Sequence, residues 1–179
     1  MTVVVAVDPS SIKCGYALLR SEGPRLTYLA AGVIDAGSKR SLCRRLVEIG
    51  AELHDVCDEA IAALMPGEDI IAGIESGYVD SHGPTALVLG AARGVAMYVL
   101  GHSLGCEVRE YAPSTVKKAA TSNGRADKGQ VARIVAKRLR MKREPAPDAA
   151  DALACAIARA QDTRHTTTTR EGDTRCPSQ

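Results

Sequence analysis

Val3-Val4-Val5-Ala6-Val7-Asp8 opens the chain, and Ile70-Ile71-Ala72-Gly73-Ile74-Glu75 repeats its design further along. An unbroken apolar run this short predicts a strand buried on both faces. A carboxylate that ends such a strand stands at the edge where open α/β sheets build their sites. Asp8 can also be read as a turn former, since Asp8-Pro9-Ser10-Ser11 is good turn chemistry. Glu75 is harder to explain that way. Glu is a poor strand residue and is rarely left unpaired against an apolar core.

Working outward, Gly15-Tyr16-Ala17-Leu18-Leu19 centres a second strand over 14–20, and Gly23-Pro24 marks a turn into a third over 26–35. Short turns make these three an antiparallel meander. Residues 41–64 carry Leu42, Leu46, Ile49, Leu53, Val56, Ala60 and Leu64 at close to helical period, and Pro66-Gly67 stops them. A crossover helix there makes 70–75 parallel to the first strand. A loop over 76–84 leads to a helix over 85–100 that is apolar nearly all round, so it belongs in the core or in an interface. Gly90 and Gly94 would let another helix approach it closely. A fifth strand is predicted over 107–111, a polar loop over 113–124, and helices over 128–140 and 147–161. From 162 to 179 Thr, Arg, Gly and Ser dominate without periodicity, which predicts a disordered tail behind a single domain over 1–161. The order βββ-α-β-α-β-α-α predicts an α/β fold: a five-stranded mixed sheet with helices on both faces.

A chain of 179 residues buries a core without staples. That core must be aliphatic, since Trp and Phe are absent. The six cysteines form no C-x-x-C pair and read as small buried hydrophobes in a reducing compartment. The first strand begins at once, so no secretory signal is expected. No unbroken apolar run approaches ~20 residues, so no membrane span is expected either. The net charge of +2 hides an asymmetry. Residues 111–145 hold ten Lys/Arg against Asp127 and Glu144, a balance of +8 that leaves −6 for the rest of the chain. Such a local field attracts polyanions, most simply a nucleic-acid backbone.

Two further acids open the Ala-rich stretch Pro147-Asp148-Ala149-Ala150-Asp151. Taken alone they resemble a capping box. Taken with Asp8 and Glu75 they suggest a pocket. Neighbouring strands would bring Asp8 and Glu75 side by side, and the last helix could lay Asp148 and Asp151 across them. Four like charges so placed repel and raise one another's pKa values, a cost that a bound cation would offset. Oxygen ligands without Cys or His select hard metals, Mg²⁺ or Mn²⁺.

These residues resemble the RuvC-type Holliday junction resolvases of the ribonuclease H-like superfamily. The resemblance rests on Val7-Asp8-Pro9-Ser10-Ser11 with Gly15-Tyr16, on Ile74-Glu75, and on Leu89-Gly90-Ala91-Ala92-Arg93-Gly94-Val95-Ala96. It continues in Val116-Lys117-Lys118, Asp127-Lys128-Gly129-Gln130-Val131 and Pro147-Asp148-Ala149-Ala150-Asp151. It implies a ribonuclease H-like fold and a homodimer that cuts four-way junction DNA by paired symmetric nicks. By that match Asp8, Glu75, Asp148 and Asp151 are the catalytic metal ligands for two Mg²⁺ ions, with Mn²⁺ able to substitute. Lys117 is implied as a further catalytic group beside the scissile phosphate. Tyr78, Arg93, Lys118, Arg125 and Lys128 are implied DNA contacts. Ser10 stands where the family usually has Gly, and Tyr78 where many members carry Phe. His82 reads as a solvent-facing loop residue. The implied setting is cytoplasmic, in a bacterium or in the host of a phage, and the sequence names no branch-migration motor as a partner.

Other readings compete. An actin-like or sugar-kinase ATPase also begins with Asp and a small-residue turn, but needs a second domain that this length lacks. A non-catalytic junction-binding protein would not need all four acids. A ribonuclease H-like nuclease could act on other branched DNA or on RNA–DNA hybrids, and the hybrid case would need contacts to 2′-hydroxyls.

Overall fold

A computed structural model describes residues 1–77 and 83–166. Five strands form one mixed sheet: β1 (Thr2–Asp8), β2 (Lys13–Glu22), β3 (Arg25–Asp35), β4 (Asp69–Glu75) and β5 (Val108–Tyr111). Their order is β3-β2-β1-β4-β5. β1 pairs antiparallel with β2, and β2 with β3, as the meander predicts. β4 lies parallel to β1, with Val7 beside Ile74. The crossover between them is α1 (Leu42–Ala62), whose N-terminus is capped by the Ser41 hydroxyl accepting from the Arg44 amide. α2 (Gly83–Leu104) joins β4 to β5, and α3 (Pro113–Thr121), α4 (Lys128–Arg138) and α5 (Pro147–Thr166) complete the chain.

Strand alternation divides the core in two. Val3, Val5 and Val7 of β1 face α1 and α2, together with Ile49, Leu53, Ala96 and Leu100. Val4 and Ala6 face the opposite way, toward α5 with Leu153 and Ile157, and toward Val116, Val131 and Val135 of α3 and α4. By the same alternation Asp8 and Glu75, at even and odd positions of parallel strands, both point to the α5 side.

α5 is the centre of that layer. It packs on the sheet with one side and takes α3 and α4 on the other. Its residues Ala152, Leu153, Ala154, Cys155, Ala156 and Ile157 are all fully buried. Small side chains let it sit close. At Gly15 of β2, an added Cβ would lie 2.1 Å from the Asp148 carbonyl oxygen, so only glycine fits beneath the start of α5. Gly73 of β4 plays the same part further along, where a Cβ would meet the Arg159 stem at 3.1 Å. Arg159 then donates from Nε to the Ala72 carbonyl at 2.9 Å.

Three expectations need correction. Residues 113–121 form a helix rather than a polar loop. Pro113 stands at its first turn and Val116 and Ala120, one turn apart, are buried against α5. Two apolar positions are too few to show a period. The chain also leaves α3 through Ser122 at φ 63 where glycine is the usual signal. α5 continues past 161 to Thr166, because Asp162 accepts from Arg109 Nη1 at 2.7 Å and from the Tyr111 hydroxyl at 2.9 Å. The tail expected over 167–179 lies outside the described residues. The expectation of no membrane span is not among them: α2 has 22 residues and a window of mean hydropathy 1.3, enough to cross a membrane by length and composition alone, and its inner face packs on α1 and β4. Finally, α5 starts at Pro147 behind Ala146, which has no side-chain oxygen, so Asp148 and Asp151 are not a capping box. The capping box belongs to α4, where Asp127 and Gln130 bond reciprocally. Of the cysteines, Cys14, Cys57 and Cys155 are buried as expected, while Cys43 is exposed.

The contact at Gly15 leads to a direct expectation. Gly15→Ala should destabilise the fold by about 1–3 kcal/mol, the usual cost of overpacking, because neither the β2 backbone nor the Asp148 carbonyl can yield cheaply. Urea denaturation measures this, and an unchanged midpoint would mean that α5 does not rest on β2 as described.

Candidate active site

Asp8 ends β1 and Glu75 ends β4, one residue beyond the paired Val7 and Ile74. Across the other edge of β1, Asp8 is paired with Gly15. That glycine admits the first turn of α5, so the backbone of Asp148 comes down on β2 beside Asp8. Asp151 follows on the same helix, three residues later. The sheet thus supplies two carboxylates and the helix start two more, as the separated stretches of sequence predict.

The charges register one another. Asp8 is raised from 3.8 to about 7, first by burial and then by Asp151, with Asp148 adding to the effect and Lys128 opposing it. Glu75 is raised from 4.5 to about 8, again first by burial, then by Asp8 and Asp151, against Lys117 and Lys128. These are the marks of negative charge gathered in a poorly solvated place without enough positive charge to balance it.

The cations stand around the rim. Lys117 is half-buried on α3, close enough to pull on Glu75. Lys128 opens α4 behind the Asp127 cap and reaches Asp151, with its Nζ 3.2 Å from Oδ2. Its side chain is 65% exposed, against 14% for Asp151, so it approaches from solvent and engages one acid only. Among the described residues neither Asp8 nor Glu75 makes an ion pair. Lys128 therefore does not fill the centre of the cluster. Lys118 and Arg125 are exposed. Arg93 of α2, the guanidinium expected to meet DNA, is ion-paired with Glu110 of β5. Tyr78 and His82 lie outside the described residues.

The donor chemistry fits a hard divalent cation: four carboxylates, no thiolate or imidazole among them, and two carboxyls driven upward first by burial and then by neighbouring carboxylates. The side chains do not yet converge into a coordination shell. Among the described residues no group of three or more His, Cys, Asp or Glu is arranged to hold a metal ion.

Two features that position the site carry weaker signals in the sequence. Gly15 stands in a quoted stretch, but its role emerges only when α5 is placed over it. The Asp127-x-x-Gln130 box, which fixes where Lys128 begins its helix, is a recognisable cap pattern.

The raised carboxyls make stability depend on pH. Between about 4 and about 8 the folded chain keeps protons that the unfolded chain has released, so stability falls as pH rises through that window. In metal-free buffer, Tm should drop by on the order of 5 °C from about pH 5.5 to about pH 8.5, and Asp8→Asn should remove much of the drop. A flat profile would mean that these carboxyls are not raised by folding.

Comparison with known proteins agrees with this geometry. The family model described as "Crossover junction endodeoxyribonuclease RuvC" matches residues 4–159. A crossover junction endodeoxyribonuclease RuvC from Sorangium cellulosum is 39% identical over 154 residues, covering 86% of this chain and 82% of that protein. Another from a Bradyrhizobium species is 37% identical over 157 residues, covering 88% and 85%. The structure of Thermus thermophilus RuvC in complex with Holliday junction substrate matches with a TM-score of 0.78 at 26% identity, over 93% of this chain and 98% of that one. The five-stranded sheet with its helices is the ribonuclease H-like resolvase fold, and the chain belongs to the RuvC family of crossover junction endodeoxyribonucleases.

Proposed function

We infer that this chain is a structure-selective DNA endonuclease that resolves four-way (Holliday) junctions by paired, symmetric nicks. One observation carries the reading beyond family membership. Asp8 and Glu75 end neighbouring strands under the helix that bears Asp148 and Asp151, and the two strand carboxyls are raised to about 7 and about 8. Asp151 and Asp148 both act on the charge of Asp8, and Asp151 on that of Glu75.

In this reading Asp8, Glu75, Asp148 and Asp151 hold the cation. When bound by these oxygens, two Mg²⁺ ions, with Mn²⁺ able to substitute, supply a water activated for in-line attack and neutralise charge on the leaving 3′ oxygen. The α5 dipole presents its positive end to the turn that carries Asp148 and Asp151. Lys117 brings a cation to the Glu75 side of the cluster, where it offsets charge that develops on the phosphate. Lys128 holds Asp151 in the resting site and can turn to the phosphate from its exposed position. Lys118 and Arg125 contact the DNA backbone and set its register without reading sequence. The protein acts in the cytoplasm, of a bacterium or of the host of a phage; the relatives compared are bacterial.

Paired nicks need two sites, and the outer face of α2 supports a homodimer. Leu87 is 77% exposed and Tyr98 is 65% exposed on that helix. Between them Gly90 and Gly94 have nothing within 4 Å of where a Cβ would stand, so a second α2 can approach closely. An apolar stripe of this kind marks an association surface.

Asp8→Asn should lower Mg²⁺-dependent junction cleavage by about a thousand-fold or more while leaving junction binding intact, because it removes an ion ligand and no cation. End-labelled four-way junctions report both, and retained cleavage would exclude Asp8 from the site. Leu87→Glu with Tyr98→Glu should convert a dimer to a monomer in sedimentation equilibrium. A dimer that survives both charges would place its interface elsewhere.

A further inference from the structure

On the far side of α5 from β4, an open groove of about 1430 Å³ runs between β3 and the segment that links α4 to α5. Arg25, Arg138, Arg140, Lys142 and Arg143 line it against a single acid, Glu144. None of these residues belongs to the site described above. All five cations are exposed. Among the described residues Arg25, Arg140, Lys142 and Arg143 make no ion pair, so their charge is directed to whatever enters.

Three observations say what that is. The groove ends near the acids. Its inner end is lined by Val33 and Ala149. Val33 is paired across the sheet with Gly15, and Gly15 with Asp8. Two strand spacings, about 10 Å, therefore separate the groove from the first carboxylate. From Val33 back to Arg25 the strand covers about 26 Å, or roughly eight base-pair steps of duplex at 3.4 Å each.

The second observation is the backbone of Arg140. α4 ends in a Schellman turn, with the Met141 amide donating to the Ala136 carbonyl at 2.9 Å and the Arg140 amide to Lys137 at 3.3 Å. The residue at the left-handed position of this turn is usually glycine. Here it is Arg140, at φ 52. The turn keeps a long cationic side chain where a glycine would remove strain, which is accounted for if the side chain does something at that place.

The third observation disfavours a peptide. β3 is an edge strand and could in principle accept another strand. Its register with β2 slips where Leu18 pairs with Ala30 and Leu19 with Tyr28, leaving Leu29 as an extra residue. A bulge of this kind blunts an edge against strand addition.

We propose that the groove is a track for one phosphate backbone of a duplex arm leaving the cut position. This rests on the junction-cutting reading of the acid site. It makes affinity grow with arm length, because the track extends away from the junction centre. It also gives the chain a way to hold DNA beyond the residues beside the scissile phosphate.

The experiment uses the full chain and four-way junctions with arms of about 10 base pairs, one helical turn, or about 30. The wild-type protein should bind the long-armed junction more tightly, with a steeper dependence of log Kd on log salt. A triple variant, Arg140→Gly with Lys142→Ser and Arg143→Ser, should lose the gain from longer arms and flatten the salt slope by about 2–3, near 0.9 for each lost contact. Arg140→Gly alone should raise Tm by about 2–4 °C as strain is removed, yet weaken long-arm binding, whereas Arg140→Lys should keep the affinity. A triple variant that keeps the arm-length gain and the salt slope overturns the proposal. So does an Arg140→Gly chain that is stabilised with undiminished affinity. Loss of binding to an acidic peptide with DNA binding unchanged would assign the groove to a protein partner and overturn it likewise. A wild-type chain that neither binds nor cuts junctions with Mg²⁺ overturns the reading beneath, and the track with it.

Discussion

The closeness of α5 to the sheet is the constraint on which the rest depends. The start of the helix rests on Gly15, and its later turns rest on Gly73. Bulk at either place would lift the helix. The Ala-rich interior of α5 is the matching half of the same arrangement, since a helix of large residues would stand further off. Only at this separation do acids from β1, β4 and α5 share one poorly solvated space. The site is thus a by-product of packing. Its carboxylates are brought together by apolar surfaces that have no charge of their own.

That packing works against the charges it collects. Burial alone is the first cause of the rise in both Asp8 and Glu75, ahead of any neighbouring carboxylate. The hydrophobic contacts along α5 hold the cluster together despite its repulsion, which is how many catalytic sites retain groups that the fold would otherwise exclude. Lys128 relieves one corner by pairing with Asp151.

Most of the sheet was legible in the sequence because buried parallel strands write themselves as continuous apolar runs. The strands over 3–7 and 70–75 were visible in this way, and so were the acids that end them. α1 was visible through its regular period and through Pro66-Gly67. α3 was not, since a nine-residue helix with two buried positions leaves no periodic trace, and Ser122 replaces the glycine that would have marked its end. The extension of α5 was hidden because Asp162 looks like the beginning of a polar tail until Arg109 and Tyr111 are found beside it. The ion pair of Arg93 with Glu110 was hidden as well, since its partner lies on a strand seventeen residues away in sequence. Pairings between distant elements are the information a linear reading lacks.

The two ends of α5 are fastened by different chemistry. One is seated on glycine; the other is tied by Arg159 to the Ala72 carbonyl and by Asp162 to β5. A rod secured at both ends transmits a displacement and cannot absorb it by sliding. The anionic half of the site accordingly inherits the stiffness of the sheet. The cationic half sits on α3 and α4, two short helices whose chain leaves through the left-handed residues Ser122 and Arg140. The acids thus stand on the sheet and the helix fastened to it, while the lysines stand on two short helices held to α5 by a handful of buried apolar residues, Val116, Ala120, Val131 and Val135.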